Sequence, residues 1–337
     1  MIKKLSLILS FAAIMIFIFS ACEKDPSSND MDGKGTLKLS ITDSPIDTDG
    51  ITGVYITFID VKYHTPDDDE WYSFEDFEGP QTYNLLDLTR GETDLLGFFE
   101  LQAGTYTQLR FMLEAPTMGG GNHSNPGCWL EFEDGSEVPL FVPSGAQSGY
   151  KAVGQFTVPS NGTVSVTADF DVRKSVVKAG NSGKYILKPT IRLIVDDQAG
   201  AIAGEVFNIQ EDHQILIYAY EEGTYTEDEA ADPEPETPRF PNAVVSDPVD
   251  EDGHYFLAFL APVSYDLVIV LYLDGEFSQV LGLVEGIMVE PSLVTTVDID
   301  LDDYYQEDDD NGNSDDNDDG NGDDNGDDNG NGDDDDE

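Results

Sequence analysis

Gly35-Thr36-Leu37-Lys38-Leu39-Ser40-Ile41-Thr42-Asp43 alternates without a break, with Leu37, Leu39 and Ile41 on one side and Lys38, Ser40 and Thr42 on the other. A period of two sends every second side chain to the same face, so this stretch predicts a β-strand with one buried face. The pattern recurs downstream in TGVYITFIDVKYH (52–64), EWYSF (70–74), GTYTQLRFML (104–113), CWLEFED (128–134), VPLFV (138–142), GQFTV (154–158) and TVSVTADFDV (163–172). Turn-forming clusters separate the runs, among them Ser44-Pro45, Asp134-Gly135 and Asn161-Gly162. Only residues 85–101 mix the periods enough to hold a short helical turn. The expectation is an antiparallel β-sandwich over 35–197.

A second set of strand-like runs follows the linker Asp196-Asp197-Gln198-Ala199: QILIYAYEE (214–222), AVVSDPVDEDGHYFLAFL (243–260), SYDLVIVLYLDG (264–275) and TTVDIDL (295–301). They predict a second antiparallel sandwich over 200–306, and the class of the whole chain is all-β. Residues 221–241 interrupt this set with an acidic, proline-containing insertion, expected to be mobile and on the surface. Asp250-Glu251-Asp252-Gly253-His254 reads as a hairpin in which Gly253 takes a positive φ.

The chain has 337 residues, with Lys+Arg 16 against Asp+Glu 69 and a net charge of −53. Nucleic acid is excluded as a partner, because phosphate binding rests on cationic side chains. Residues 307–337 hold only Asp, Asn, Gly, Glu and one Ser. Such a tail is expected to be a disordered, solvated brush. The alternative there is weakly bound calcium at Asp315, Asn317 and Asp319, since 315–320 match the first half of a calcium loop. The twelfth position is Gly326 instead of a bidentate Glu. No other cofactor is expected.

At the start, Lys3 and Lys4 precede an apolar run over 5–19 that is short for a membrane span. It ends in Phe19-Ser20-Ala21-Cys22, which resembles a bacterial lipobox. The resemblance implies a signal peptide over 1–21, lipidation at Cys22 and a flexible tether over 22–34; an ordinary signal peptide with an incidental cysteine is the other reading. The acidic residues behind Cys22 are similar to the surface-export signal of Bacteroidota lipoproteins, which implies an outer-membrane anchor facing outward. The remaining Cys128 has no intrachain partner and is expected to be a small buried hydrophobe.

Two family resemblances accompany the strand patterns. Gly35-Thr36-Leu37-Lys38-Leu39-Ser40-Ile41-Thr42-Asp43-Ser44-Pro45, Tyr83-Asn84-Leu85-Leu86-Asp87-Leu88, Gly104-Thr105-Tyr106-Thr107-Gln108-Leu109-Arg110, Val142-Pro143-Ser144-Gly145, Asp169-Phe170-Asp171 and Tyr185-Ile186-Leu187-Lys188-Pro189 resemble the DUF4382 family of lipoprotein domains. That family brings no catalytic residues with it. Gly200-Ala201-Ile202-Ala203-Gly204-Glu205-Val206 with the 250–257 hairpin resembles the carboxypeptidase regulatory-like, transthyretin-type sandwich, which implies a spacer or a relative of carbohydrate-binding folds.

For chemistry, Ser144 and Ser175 lack a nucleophile-elbow setting, and the histidines His64, His123, His213 and His254 carry no partner pattern. Against the acidic background, Lys151, Arg173, Lys174, Lys178, Lys184, Lys188 and Arg192 cluster in sequence. On one face, Arg173, Lys174, Lys178, Lys188 and Arg192 would form a patch for an anionic glycan, a carboxylate or the acidic tail; paired with Asp169, Asp171 and Asp196 they would be structural. The leading functional reading is a lipid-anchored, non-catalytic surface module binding a glycan, a peptide or an envelope protein. A structural part of an outer-membrane complex comes second and an enzyme third.

Overall fold

The computed structural model describes residues 33–44, 50–64, 70–115, 127–143, 148–179, 183–233 and 237–305. Cys22, Ser144, His123 and the acidic tail with Asp315, Asn317 and Asp319 lie outside them. The architecture is all-β. The first region holds β1 (Lys34–Ser44), β2 (Ile51–His64), β3 (Trp71–Ser73), β4 (Gln81–Asn84), β5 (Asp94–Gln102), β6 (Gly104–Leu113), β7 (Cys128–Phe132), β8 (Glu137–Phe141), β9 (Tyr150–Val158), β10 (Thr163–Asp171), β11 (Val176–Lys178), β12 (Tyr185–Leu187) and β13 (Ile191–Val195).

These strands form one hydrogen-bonded path, β11-β12-β8-β7-β2-β6-β9-β13-β10-β1-β5, with β3 and β4 also paired to β2. Alternation puts Leu37, Leu39 and Ile41 inside with Val54, Ile56 and Phe58 of β2 and Ala168 and Phe170 of β10. Four strand steps separate β2 from β10, about 19 Å on a flat sheet, yet the Phe58 and Phe170 rings are 5.4 Å apart. The sheet therefore rolls over its own core. Most pairs are antiparallel, but β10 returns beside β1 in parallel, from Thr36 opposite Thr163 to Ser44 opposite Asp171. Alternation is the same in both pairings, so the sequence pattern does not distinguish them. The mixed stretch at 85–101 resolves into a one-turn helix, Leu85–Leu88, capped by Asn84, and then β5.

The second region holds β14 (Gly200–Phe207), β15 (His213–Glu221), β16 (Val245–Pro248), β17 (His254–Leu260), β18 (Ser264–Leu273), β19 (Glu276–Met288), β20 (Val294–Thr296) and β21 (Ile299–Asp300). They make two sheets, β17-β14-β20 with β21 on β14, and β16-β15-β18-β19. The 250–254 hairpin forms as expected, with Gly253 at φ +86°.

The insertion adds a packing role to its surface position. β18 reads Leu267-Val268-Ile269-Val270-Leu271, apolar at every position, and such a strand needs cover on both faces. Tyr218, Val268, Val270 and Tyr272 line the second face, and the insertion supplies the lid: Phe240 is fully buried among them, its ring 4.6 Å from that of Tyr218. Arg239 stacks on Phe277 at 3.9 Å and donates to the carbonyls of Ala230 and Ala231. Most described residues of the insertion lie on the surface, as expected, while Phe240 and Arg239 pack it onto the sheet as a cover.

Candidate binding face

The sequence-clustered cations are divided by the fold. Asp43 Oδ1 accepts from the Val172 amide at 3.0 Å and Asp171 Oδ1 from the Lys174 amide at 3.1 Å. Together they hold the helical turn Val172–Ser175, which aims Arg173 and Lys174 at the second region. Arg173 is 3% exposed and donates to the carbonyls of Arg239 and Phe240, both at 2.9 Å, and of Ala243 at 3.4 Å. Lys174 Nζ donates to Ala243 O at 2.7 Å and pairs with Asp171 at 3.0 Å. Burial pulls the Lys174 amine below its ordinary pKa, opposed by the Asp171 carboxylate.

Arg90 completes this seam. Its Nη1 reaches Asp250 at 2.9 Å, its Nε lies 3.3 Å from the buried Asp247 carboxylate, and its Nη2 donates to His254 O. Neighbouring Gly91 has φ +82°, and a Cβ there would stand 2.9 Å from the Phe256 ring, so glycine is required on both grounds. Arg173 and Lys174 thus join the two β-regions instead of facing a ligand. Their acceptors belong to the insertion, which the local sequence does not reveal.

The other expected patch residues sit elsewhere. Arg192 is paired with Asp169 through Nε at 2.6 Å. Lys178 lines a cleft of about 460 Å³ with Phe132, Asp134, Val138 and Tyr185, and its ammonium lies 6.0 Å from the Tyr185 ring centre. Lys188 is exposed, and its amide donates to Ser175 O.

A different set of cations is brought together by strand register. Lys62 lies opposite Arg110 on β2 and β6, and Arg110 opposite Lys151 on β6 and β9. Directly opposed residues share a face. Their sequence neighbours Val61, Leu109, Phe111 and Ala152 fill the core, so the three cations point outward. Trp71 of β3 lies over them: the Arg110 guanidinium is 4.0 Å from its ring centre and the Lys151 ammonium 6.0 Å. Lys62 has Asp60 at 3.9 Å. Among the described residues neither Arg110 nor Lys151 has a carboxylate within ion-pair distance, and Arg110 Nε has no hydrogen-bond partner. Partial burial under Trp71 holds the Arg110 guanidinium below its ordinary pKa, and Arg remains charged at any physiological pH. A row of cations beside an indole, two of them without a carboxylate at ion-pair distance among the described residues, can bind an anion. Sequence reading missed Lys62, Arg110 and Trp71 because they are far apart along the chain; it named Lys151.

The catalytic candidates have structural partners. Ser175 Oγ donates to Asp171 O at 2.5 Å and accepts from the Thr190 amide at 2.9 Å. Cys128 is fully buried, and burial raises its thiol pKa to about 11. Among the described residues no group of three His, Cys, Asp or Glu could hold a metal ion.

Fold and face together describe an all-β protein with a rolled sheet that displays a cationic, aromatic outer surface. Residues 34–189 match the family model described as Domain of unknown function (DUF4382), in keeping with the motifs that begin at Gly35. The match ends there, and the likeness of 200–306 to carboxypeptidase regulatory-like domains stays with its sequence motifs. No curated protein matches the chain. Solved structures similar to it include the minor pilin GBS52 of Streptococcus agalactiae, with TM-score 0.20 and 12% identity over 80% of this chain and 94% of that one. The shaft pilin SpaA of Lactobacillus rhamnosus GG has TM-score 0.20 and 10% identity over 80% and 97%. The Bacillus anthracis TIE protein has TM-score 0.20 and 10% identity over 80% of this chain, which spans 34% of that protein's length.

Proposed function

We propose that the chain is a non-catalytic binding or adhesion module, anchored to the outer membrane by a lipid at Cys22 and presented on the cell surface. The observation that supports it best is the outer face of β2, β6 and β9. There Arg110 and Lys151 stand beside Trp71 without a carboxylate at ion-pair distance among the described residues, in a chain of net charge −53. In this reading residues 200–306 act as a spacer of the carboxypeptidase regulatory-like type, fastened to the first region through Arg90, Arg173 and Lys174. Residues 22–34 are the stalk.

Two outcomes test the anchor and the module. Cys22→Ala is expected to move the protein from the membrane fraction to the soluble one, read by fractionation; retention together with palmitate labelling of the variant would refute lipidation at Cys22. The full chain in detergent is expected to bind a subset of spots on an array of glycans, envelope polysaccharides and peptides, and Lys151→Glu to weaken that binding at least about tenfold. A blank array together with no cross-linked partner on intact cells would remove the binding reading.

A further inference from the structure

We infer that the ligand of the Trp71–Arg110–Lys151 face is an acidic polysaccharide, a chain of sugars bearing carboxylate or sulfate groups; this rests on the binding reading above and names its ligand. The geometry of the row comes first. Lys62, Arg110 and Lys151 occupy one register line across β2, β6 and β9, and neighbouring strands lie about 4.8 Å apart, so the row extends about 10 Å perpendicular to the strands. A linear polymer with an anion on successive units meets such a row better than a compact ligand does.

The form of the donors comes second. A guanidinium lying flat on an indole is held by cation–π attraction, with its N–H groups directed outward in its own plane. The Arg110 guanidinium carbon lies 4.0 Å from the Trp71 ring centre; its Nε is buried, so donation to a ligand falls to the terminal nitrogens. Flat, fork-shaped donors suit planar carboxylates and the oxygens of sulfate. Lys151, exposed on the next strand, supplies a second point charge.

The backbone decides between saccharide and peptide. An extended peptide commonly gains affinity by adding a strand to an open edge. β2, β6 and β9 all lie inside the path, with neighbours on both sides that take up their amides and carbonyls. Beside the row the strand with an open side is β3, paired to β2 alone, and its three residues are too short a template. Recognition here must therefore use side chains alone. Trp71, on the same face as the cations, offers ring surface against which the C–H face of a sugar packs.

The long-range field of the chain opposes any polyanion, so attraction must come from contact, and salt screens that repulsion as well as the contacts. The test is titration of the full chain in detergent with polygalacturonate, dextran sulfate, neutral dextran and poly-glutamate at low and high salt. Polygalacturonate, dextran sulfate or both are expected to bind saturably at low salt, and neutral dextran is not. Which of the two binds identifies the anionic group. Arg110→Gln and Lys151→Gln are each expected to weaken binding about tenfold, and Trp71→Ala by a similar factor, with melting temperatures close to that of the parent chain. Trp71→Ala destabilising the chain would move that test to Trp71→Phe, expected to lose less affinity than Arg110→Gln. Poly-glutamate binding as tightly as the acidic glycans would overturn the saccharide inference and leave the binding module standing. Array hits confined to neutral glycans and indifferent to Arg110→Gln would likewise overturn the inference. Loss of every ligand on the array and on cells would remove both.

Discussion

Arg173→Ala is expected to destabilise the protein by about 4 kcal/mol, the largest effect of any single change at the seam. A hydrogen bond from a charged donor contributes roughly 1.5–3 kcal/mol, and a buried carbonyl left without a donor costs roughly 1–3 kcal/mol. Arg173 serves three carbonyls from one side chain, so the contributions are shared and fall well short of a sum. Its guanidinium also lies 5.7 Å from the Tyr218 ring centre. For a unit of this size the melting temperature should fall by roughly 8–15 °C. Arg173→Met keeps the length of the side chain without the donors; a loss equal to that of alanine assigns the effect to the hydrogen bonds. Denaturant unfolding is the measurement. We expect Arg173→Ala also to split the transition in two, because the 239–243 segment that it clasps covers β15 and β18. A loss below about 1 kcal/mol would mean that water replaces the guanidinium at those carbonyls.

Asp247→Asn is expected to remove a pH dependence from stability. The Asp247 side chain is fully buried, 3.3 Å from Arg90 Nε, and its Oδ2 accepts from the Phe256 amide at 2.8 Å. Burial raises its pKa to about 7, more than the Phe256 amide and Arg90 lower it, and Asp250 nearby adds to the rise. A folded pKa above the unfolded value means that the folded state holds the proton more tightly. The contribution to stability is therefore complete below about pH 4 and is lost as pH rises through about 7. At 1.36 kcal/mol per unit, with allowance for the coupling to Arg90, the loss is about 2–4 kcal/mol. Asp169 and Asp196 are raised in the same direction by burial, and the net negative charge also favours acid. The informative quantity is thus the difference between parent and Asp247→Asn across pH 4 to 7.5. A flat difference would show an ionised Asp247 paired with Arg90 in the folded state.

Much of the fold was legible wherever one face of a strand is wet. β1, β2, β6 and β10 announce themselves by alternation, and the Asp134-Gly135, Asn161-Gly162 and Gly253 turns lie where the sequence puts them. The rolled sheet was not legible, because the parallel union of β1 with β10 links residues more than a hundred positions apart and leaves no local mark. The covering role of the insertion was not legible because its acidic composition hid Phe240, although the unbroken apolar run at 267–271 already called for a cover. The candidate face shows the same limit more sharply. A window from Lys151 to Arg192 gathers cations by sequence, while register gathers Lys62, Arg110 and Lys151 from three strands and sends Arg173 and Lys174 into the seam. Charge density along a chain and charge density on a surface coincide only when one element carries both.

The place of β1 has a mechanical consequence. This strand is the first of the fold, and it is hydrogen-bonded along its length to β10 on one side and β5 on the other. Under the anchoring proposed at residue 22, tension on a bound ligand would enter the fold at β1. The rungs on both flanks then bear the load in shear and together, where a peripheral hairpin would unzip one rung at a time. Resistance to forced unfolding is set by the barrier to rupture and not by equilibrium stability. With that anchoring, the strand that opens the fold would also be its tensile joint.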